Sequence, residues 1–217
     1  MSRPTFRPLT PDRWADLEAL FGPRGACAGC WCMWWRHATQ KSWVAAKGEP
    51  NRRALRKVVA SGAPVGILAY DGDVPLGWCA IAPRDDYPRL SRARTLRPLD
   101  DRPVWSITCL FVEKGWRRRG LSSKLIEGAT AYAREQGATL LEGYPMDTRD
   151  PHTPAAWVWT GLPASFEKAG FEEVARPAPT RPIYRLEVKD TRRPKASAAP
   201  PRSRSRGSSS SPRRSSR

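Results

Sequence analysis

Residues 104–137 constrain the fold more than any other stretch of this chain. Residues 104–113 (VWSITCLFVE) are apolar or small on both alternating faces, the pattern of a strand covered on each side of a sheet. Gly115-Trp116-Arg117-Arg118-Arg119-Gly120 follows directly. Leu121, Leu125, Ile126, Ala129 and Ala133 then form a helical stripe that Gly137 ends. A covered strand running through a glycine turn into an amphipathic helix needs a layered α/β architecture. The helix N-terminus has backbone amides without intrahelical acceptors and carries the positive end of the helix dipole. Gly120 allows close approach to that terminus, and three Arg adjoin it. The spacing suits an anion such as a pyrophosphate; it also suits an ordinary turn bearing a solvated basic cluster.

The flanking residues fit the same class. Thr10-Pro11 opens a helix whose stripe is Trp14, Leu17, Leu20 and Phe21, with Gly22-Pro23 as the stop. A second helix starts near Pro50, carries Leu55, Val58 and Val59, and ends at Ser61-Gly62. Residues 65–70 and 76–82 flank Asp71-Gly72-Asp73 and read as an antiparallel hairpin. Arg84 to Pro103 is polar and reads as a loop with one helical turn. Residues 139–145 return to strand, with Glu142 and Tyr144 on one face. A short helix around 163–169 stops at Gly170, and residues 171–174 and 183–188 give two last strands.

The 217 residues and ten Trp suffice for one real core. The net charge of +17 is uneven, because residues 189–217 contribute +9 and residues 1–188 contribute +8. From Lys189 onward no Val, Leu, Ile, Met or aromatic residue occurs. That composition predicts a domain at 1–188 followed by a disordered basic tail at 189–217. The tail would act either as a nonspecific polyanion contact, nucleic acid included, or as a solubilising extension. No apolar run is long enough to span a membrane, and the start of the chain has no signal-type stretch, so a cytoplasmic location without membrane attachment is expected.

The run Arg117-Arg118-Arg119-Gly120-Leu121-Ser122 resembles the acyl-CoA motif of the GNAT N-acetyltransferase superfamily, with Ser122 where Gly or Ala is usual. Phe166-Glu167-Lys168-Ala169-Gly170-Phe171 is similar to that superfamily's Tyr-Glu-Lys-x-Gly-Phe signature. The resemblance, to bacterial members in particular, covers about Phe6 to Val188. It implies a mixed, mostly antiparallel central sheet with helices on both faces. It further implies an acetyl-CoA-dependent N-acetyltransferase in which a primary amine, on a small molecule or a peptide, attacks the thioester directly. The implied coenzyme site comprises the backbone of Cys109, Leu110, Phe111 and Val112 for the pantetheine arm, with one N–H polarising the thioester carbonyl. Arg117, Arg118, Arg119, Gly120, Leu121, Ser122 and Ser123 take the pyrophosphate.

Phe166 stands where many relatives use a Tyr hydroxyl to protonate the departing thiolate, and Phe cannot donate. Glu142, Tyr144, Asp147 and His152 are the candidate acids and bases. If none serves, either water or the acceptor handles the proton, or the chain is a catalytically weak or silent acyl-CoA-binding module, or a nucleic-acid-associated protein working through its tail. The basic domain argues against a strongly cationic acceptor such as an aminoglycoside.

Residues 25–36 are unusual in their density of Cys and Trp. Cys27, Cys30 and Cys32 with His37 have a spacing that could hold zinc. Packing of the thiols among neighbouring Trp is the preferred reading, with no metal expected. Trp31, Trp34 and Trp35, with Trp157 and Trp159, either wall an acceptor pocket for a flat apolar body or belong to the core.

Overall fold

The computed structural model describes residues 3–148, 153–154 and 156–189. The basic tail after Lys189 and the candidate His152 lie outside the described residues.

Seven strands form one sheet: β1 (Thr5–Pro8), β2 (Gly66–Asp71), β3 (Val74–Pro83), β4 (Trp105–Val112), β5 (Leu140–Gly143), β6 (Glu172–Ala178) and β7 (Arg181–Glu187). Their spatial order is β1-β2-β3-β4-β5-β7-β6. All neighbours are antiparallel except β4 and β5, which run parallel. This is the mixed, mostly antiparallel sheet expected. The helices are α1 (Trp14–Phe21), α2 (Gln40–Ala45), α3 (Glu49–Ala60), α4 (Pro88–Arg92), α5 (Leu121–Glu135) and α6 (Pro163–Lys168).

Alternation along the strands explains the two layers. On β2, Ile67 and Ala69 point into the core that α5 covers with Leu121, Leu125, Ile126, Ala129 and Ala133. Leu68 and Tyr70 point the other way, against Leu17 and Leu20 of α1 and Leu55 and Val59 of α3. Each fully buried Leu contributes about 1.5–3 kcal/mol relative to exposure. A third cluster lies under the loop 84–103, where Tyr87, Leu90 and Leu96 pack on Trp35, Tyr144 and Ile183.

The feature that creates a site is the short β4–β5 pairing. Only Trp105↔Leu141, Ser106↔Glu142 and Ile107↔Gly143 pair. The β3–β4 register slips at the same place, leaving Thr108 as an extra residue between Ile107 and Cys109. A bulge bends the strand that carries it. Beyond Ile107, β4 therefore pairs with β3 only, and a gap opens on its β5 side from Thr108 to Val112. The last residue of β5, Gly143, admits no side chain, because a Cβ there would come within 2.1 Å of the Phe166 ring, which is fully buried.

Candidate active site

The open edge of β4 floors a cleft of about 880 Å³. Its far wall is the turn into α5. Gly120 caps that helix in the left-handed region (φ 76°), two residues after Arg118, which is also left-handed (φ 62°). Left-handed positions next to right-handed ones are the backbone pattern of anion-binding concavities. A Cβ on Gly120 would meet nothing nearer than the Lys168 Nζ at 4.0 Å, so the space before α5 is open and faces a lysine. Ser123 donates to the Gly120 carbonyl at 2.9 Å and braces the turn. Arg117 Nε donates to the Val112 carbonyl at 3.0 Å, holding the turn against the strand end.

The gap edge of β4 is engaged at three points. The Trp35 indole donates to the Thr108 carbonyl at 3.1 Å, and Arg117 holds Val112. The Leu110 amide donates to the Trp159 carbonyl at 2.7 Å, while Met146 N–H donates to Gly161 at 2.9 Å. Residues 159–161 therefore bridge the opening between β4 and the segment that follows β5.

Of the residues expected to hold the coenzyme, Leu110, Phe111, Val112, Arg117, Arg118, Gly120, Leu121, Ser122 and Ser123 line this cleft. Arg119 does not line it; its guanidinium lies 5.5 Å from the Trp116 ring centre. Lys168 and Trp116 also line it. Sequence reasoning left Lys168 inside a signature motif without a role; the fold sets it opposite Gly120.

The Trp set divides. Trp34 and Trp159 wall the cleft, joined by Trp43, which the spacing did not single out. Trp34 meets Trp43 edge to face at 4.8 Å and Trp159 at 6.4 Å. Trp31 is core instead, stacked on Trp14 at 6.1 Å and tilted against Phe21 at 5.7 Å. Trp35 is buried behind Trp159. Trp157 is 67 % exposed and lies outside the cleft.

The Cys-rich loop supplies the remaining wall through Cys27, Cys30 and Cys32. Ala26, Ala28, Trp31 and Cys32 all have positive φ, so the loop is wound tightly by non-glycine residues. Cys32 is buried, with its sulfur 3.3 Å from that of Cys109 and accepting from the Trp78 indole at 3.0 Å. His37 pairs with Asn51 at 2.8 Å on α3 and does not join the thiols. Among the described residues, no three His, Cys, Asp or Glu side chains converge as metal ligands.

The acid–base candidates sit elsewhere. Glu142 is 1 % exposed, between Arg84 at 2.9 Å and Arg185 at 2.7 Å. Tyr144 is fully buried; it donates to Glu142 at 2.6 Å and shares a hydrogen bond with Ser106 at 2.9 Å. Burial, then the Glu142 charge, pushes its phenol well above the ordinary value. Asp100 extends the cluster to Arg185 at 2.6 Å, and that pairing, with Arg102, holds its carboxyl below the usual range. Neither Glu142 nor Tyr144 lines the cleft. Asp147 is bound to Arg176 at 2.5 Å, also away from it. The cause is layer geometry: the shared face of Glu142 and Tyr144 looks into the third cluster, where two arginines arrive from distant segments.

The family model of the acetyltransferase (GNAT) family matches residues 30–156, and the chain belongs to that family. No curated protein matches the chain. Solved structures share the fold at low identity. An acetyltransferase of the GNAT family from Listeria monocytogenes is 12% identical with a TM-score of 0.52, covering 85% of this chain and 95% of its own. Its counterpart from Streptococcus agalactiae is 12% identical with a TM-score of 0.51, covering 86% and 96%. The aminoglycoside acetyltransferase AAC(6')-Ib, solved in complex with coenzyme A, is 14% identical with a TM-score of 0.51, covering 85% and 95%. Among the described residues, no helix is long and apolar enough to cross a membrane.

Proposed function

We propose that the cleft binds acetyl-CoA and transfers its acetyl group to a primary amine. The observation that carries this reading is the juxtaposition of an unpaired β4 edge with an open, amide-rich helix start at Gly120. A diphosphate there would receive amides from residues 118–123 and charge from Arg117 and Lys168. The extended arm would run along β4. The Leu110 N–H already points into the gap, since it reaches the Trp159 carbonyl, and that donor would polarise a thioester carbonyl once the internal bond is exchanged. Positioning two reactants against each other supplies most of the rate. Phe166, buried under Gly143 and Gly161, contributes shape and no proton.

Calorimetric titration tests the reading. Acetyl-CoA should bind with micromolar affinity, and dephospho-CoA more weakly. No heat with folded protein would end the enzymatic reading. A second reading is an acyl-CoA-binding module without turnover. It is favoured by Phe166 and by the Leu110–Trp159 hydrogen bond, which occupies the one donor the chemistry needs. Thiol release across a panel of amines separates the two: a binder releases none.

A further inference from the structure

The cleft has an imbalance in its titratable groups. Its charged lining residues are Arg117, Arg118 and Lys168, all cationic and all at the α5 end. Among the described residues, no Asp, Glu or His lines it. The other end is made of Trp34, Trp43, Trp159 and the thiols of Cys27, Cys30, Cys32 and Cys109. Burial pushes the Cys30 thiol up to about 11, and the hydrogen bond to Cys109 with burial raises Cys32 further above its ordinary value, so neither offers a thiolate base at neutrality.

Tryptophan faces can hold an ammonium, but here two are already taken. The Arg89 guanidinium lies 3.9 Å from the Trp34 ring centre, and the Lys47 ammonium 4.5 Å from that of Trp43. An alkylammonium entering this end would meet rings backed by the protein's own cations. It would also lose water without gaining a carboxylate. The Trp43 indole N–H, itself buried, leans on the Cys30 sulfur and offers an entering ammonium no acceptor.

We propose that the acceptor is a weakly basic aromatic amine, an aniline-type nitrogen on a flat ring that is neutral at physiological pH. The proposal rests on the acetyltransferase reading and narrows it. An alkylamine with a lysine-like pKa is unprotonated in roughly one molecule in a few thousand at pH 7, so its use demands a base that removes a proton first. An aniline arrives as the free base. Its nitrogen bonds to the acetyl carbon, the carbon–sulfur bond breaks, and the sulfur leaves with that electron pair. The surplus N–H proton moves to the sulfur, directly or through water, giving the anilide and coenzyme A. No carboxylate or imidazole is needed in the balance.

The test uses the full chain, acetyl-CoA and two isomeric amines, para-ethylaniline and para-methylbenzylamine, with thiol release as the readout. At pH 7 kcat/KM for the aniline should exceed that for the benzylamine about a hundredfold or more. From about pH 6 to 8 the aniline rate should stay level, while the benzylamine rate climbs about tenfold per pH unit. Trp43→Leu should raise KM for the aniline about fivefold and leave the calorimetric Kd of acetyl-CoA within about twofold. The proposal is overturned if the benzylamine is the better substrate at pH 7. It is also overturned if the benzylamine profile is level and gains a unit slope in His152→Ala, which would reveal a base in the protein. Binding of acetyl-CoA with release from neither amine overturns this inference, and release from no amine of a wider panel removes the enzymatic reading with it. Binding with preference for the benzylamine removes this inference alone.

Discussion

Two regions on opposite sides of the β4–β5 junction differ in how they use charge. Behind the junction, Arg84, Glu142, Arg185 and Tyr144 form a closed, buried cluster in which the Glu142 carboxylate oxygens are matched by cations. In front of it, the cleft presents backbone amides, indoles and thiols, with cations at one end only. The polar side chains most suggestive of catalysis are thus tied up in a buried ion-pair cluster, while the cleft offers main-chain groups. Proximity to a strand end is a poor guide to chemistry unless the layer covering that face is known.

Replacing Glu142 probes the contrast most severely. Glu142→Gln leaves the buried Arg84 guanidinium without its carboxylate and Arg185 with Asp100 alone, which costs on the order of 3–5 kcal/mol. The thermal midpoint should fall by about 10 °C. Folded protein should keep its affinity for acetyl-CoA within about twofold by calorimetry. A hundredfold loss of turnover at an unchanged midpoint would reverse the assignment and make Glu142 a base.

On the cleft side, Gly120→Val should do the opposite. A branched residue in the left-handed region is strained by roughly 1–2 kcal/mol, so the midpoint moves only a few degrees. The amides before α5 shift with it, and the Kd for acetyl-CoA should rise about tenfold or more. Equal affinity in the variant would separate α5 from the coenzyme.

Cysteine labelling gives the finest comparison. Cys27 is exposed in the cleft and should react with iodoacetamide first, with acetyl-CoA slowing it severalfold in mass spectra. Cys30, with its thiol raised to about 11, should label slowly near pH 7 and about tenfold faster per unit as pH rises toward 9. Buried Cys79, raised by burial, should stay unlabelled until unfolding. Prompt labelling of Cys30 at pH 7 would mean that the loop opens.

Most of the architecture was legible because period-two and period-3.6 patterns switch cleanly at Gly62, Gly120 and Gly137. β1 escaped notice because four residues are too few for a pattern, and α2 because none of its residues is buried. The β4–α5 wall of the cleft was legible because local spacing creates it: strand, turn and helix are contiguous. The place of the acid–base candidates outside the cleft was not legible because their environment is not local. Arg84 and Arg185 stand 58 and 43 residues from Glu142 in the chain. The Trp assignments split for the same reason, since alternate sides of one tight loop face core and cleft.

The Trp159 carbonyl resting on the Leu110 amide carries a kinetic signature. On the proposed function, an incoming thioester would have to evict a piece of the chain's own backbone before its carbonyl could dock. Under stopped-flow mixing, the observed approach to saturation should therefore stop accelerating at high coenzyme concentration, where the plateau reports how often residues 159–161 swing clear.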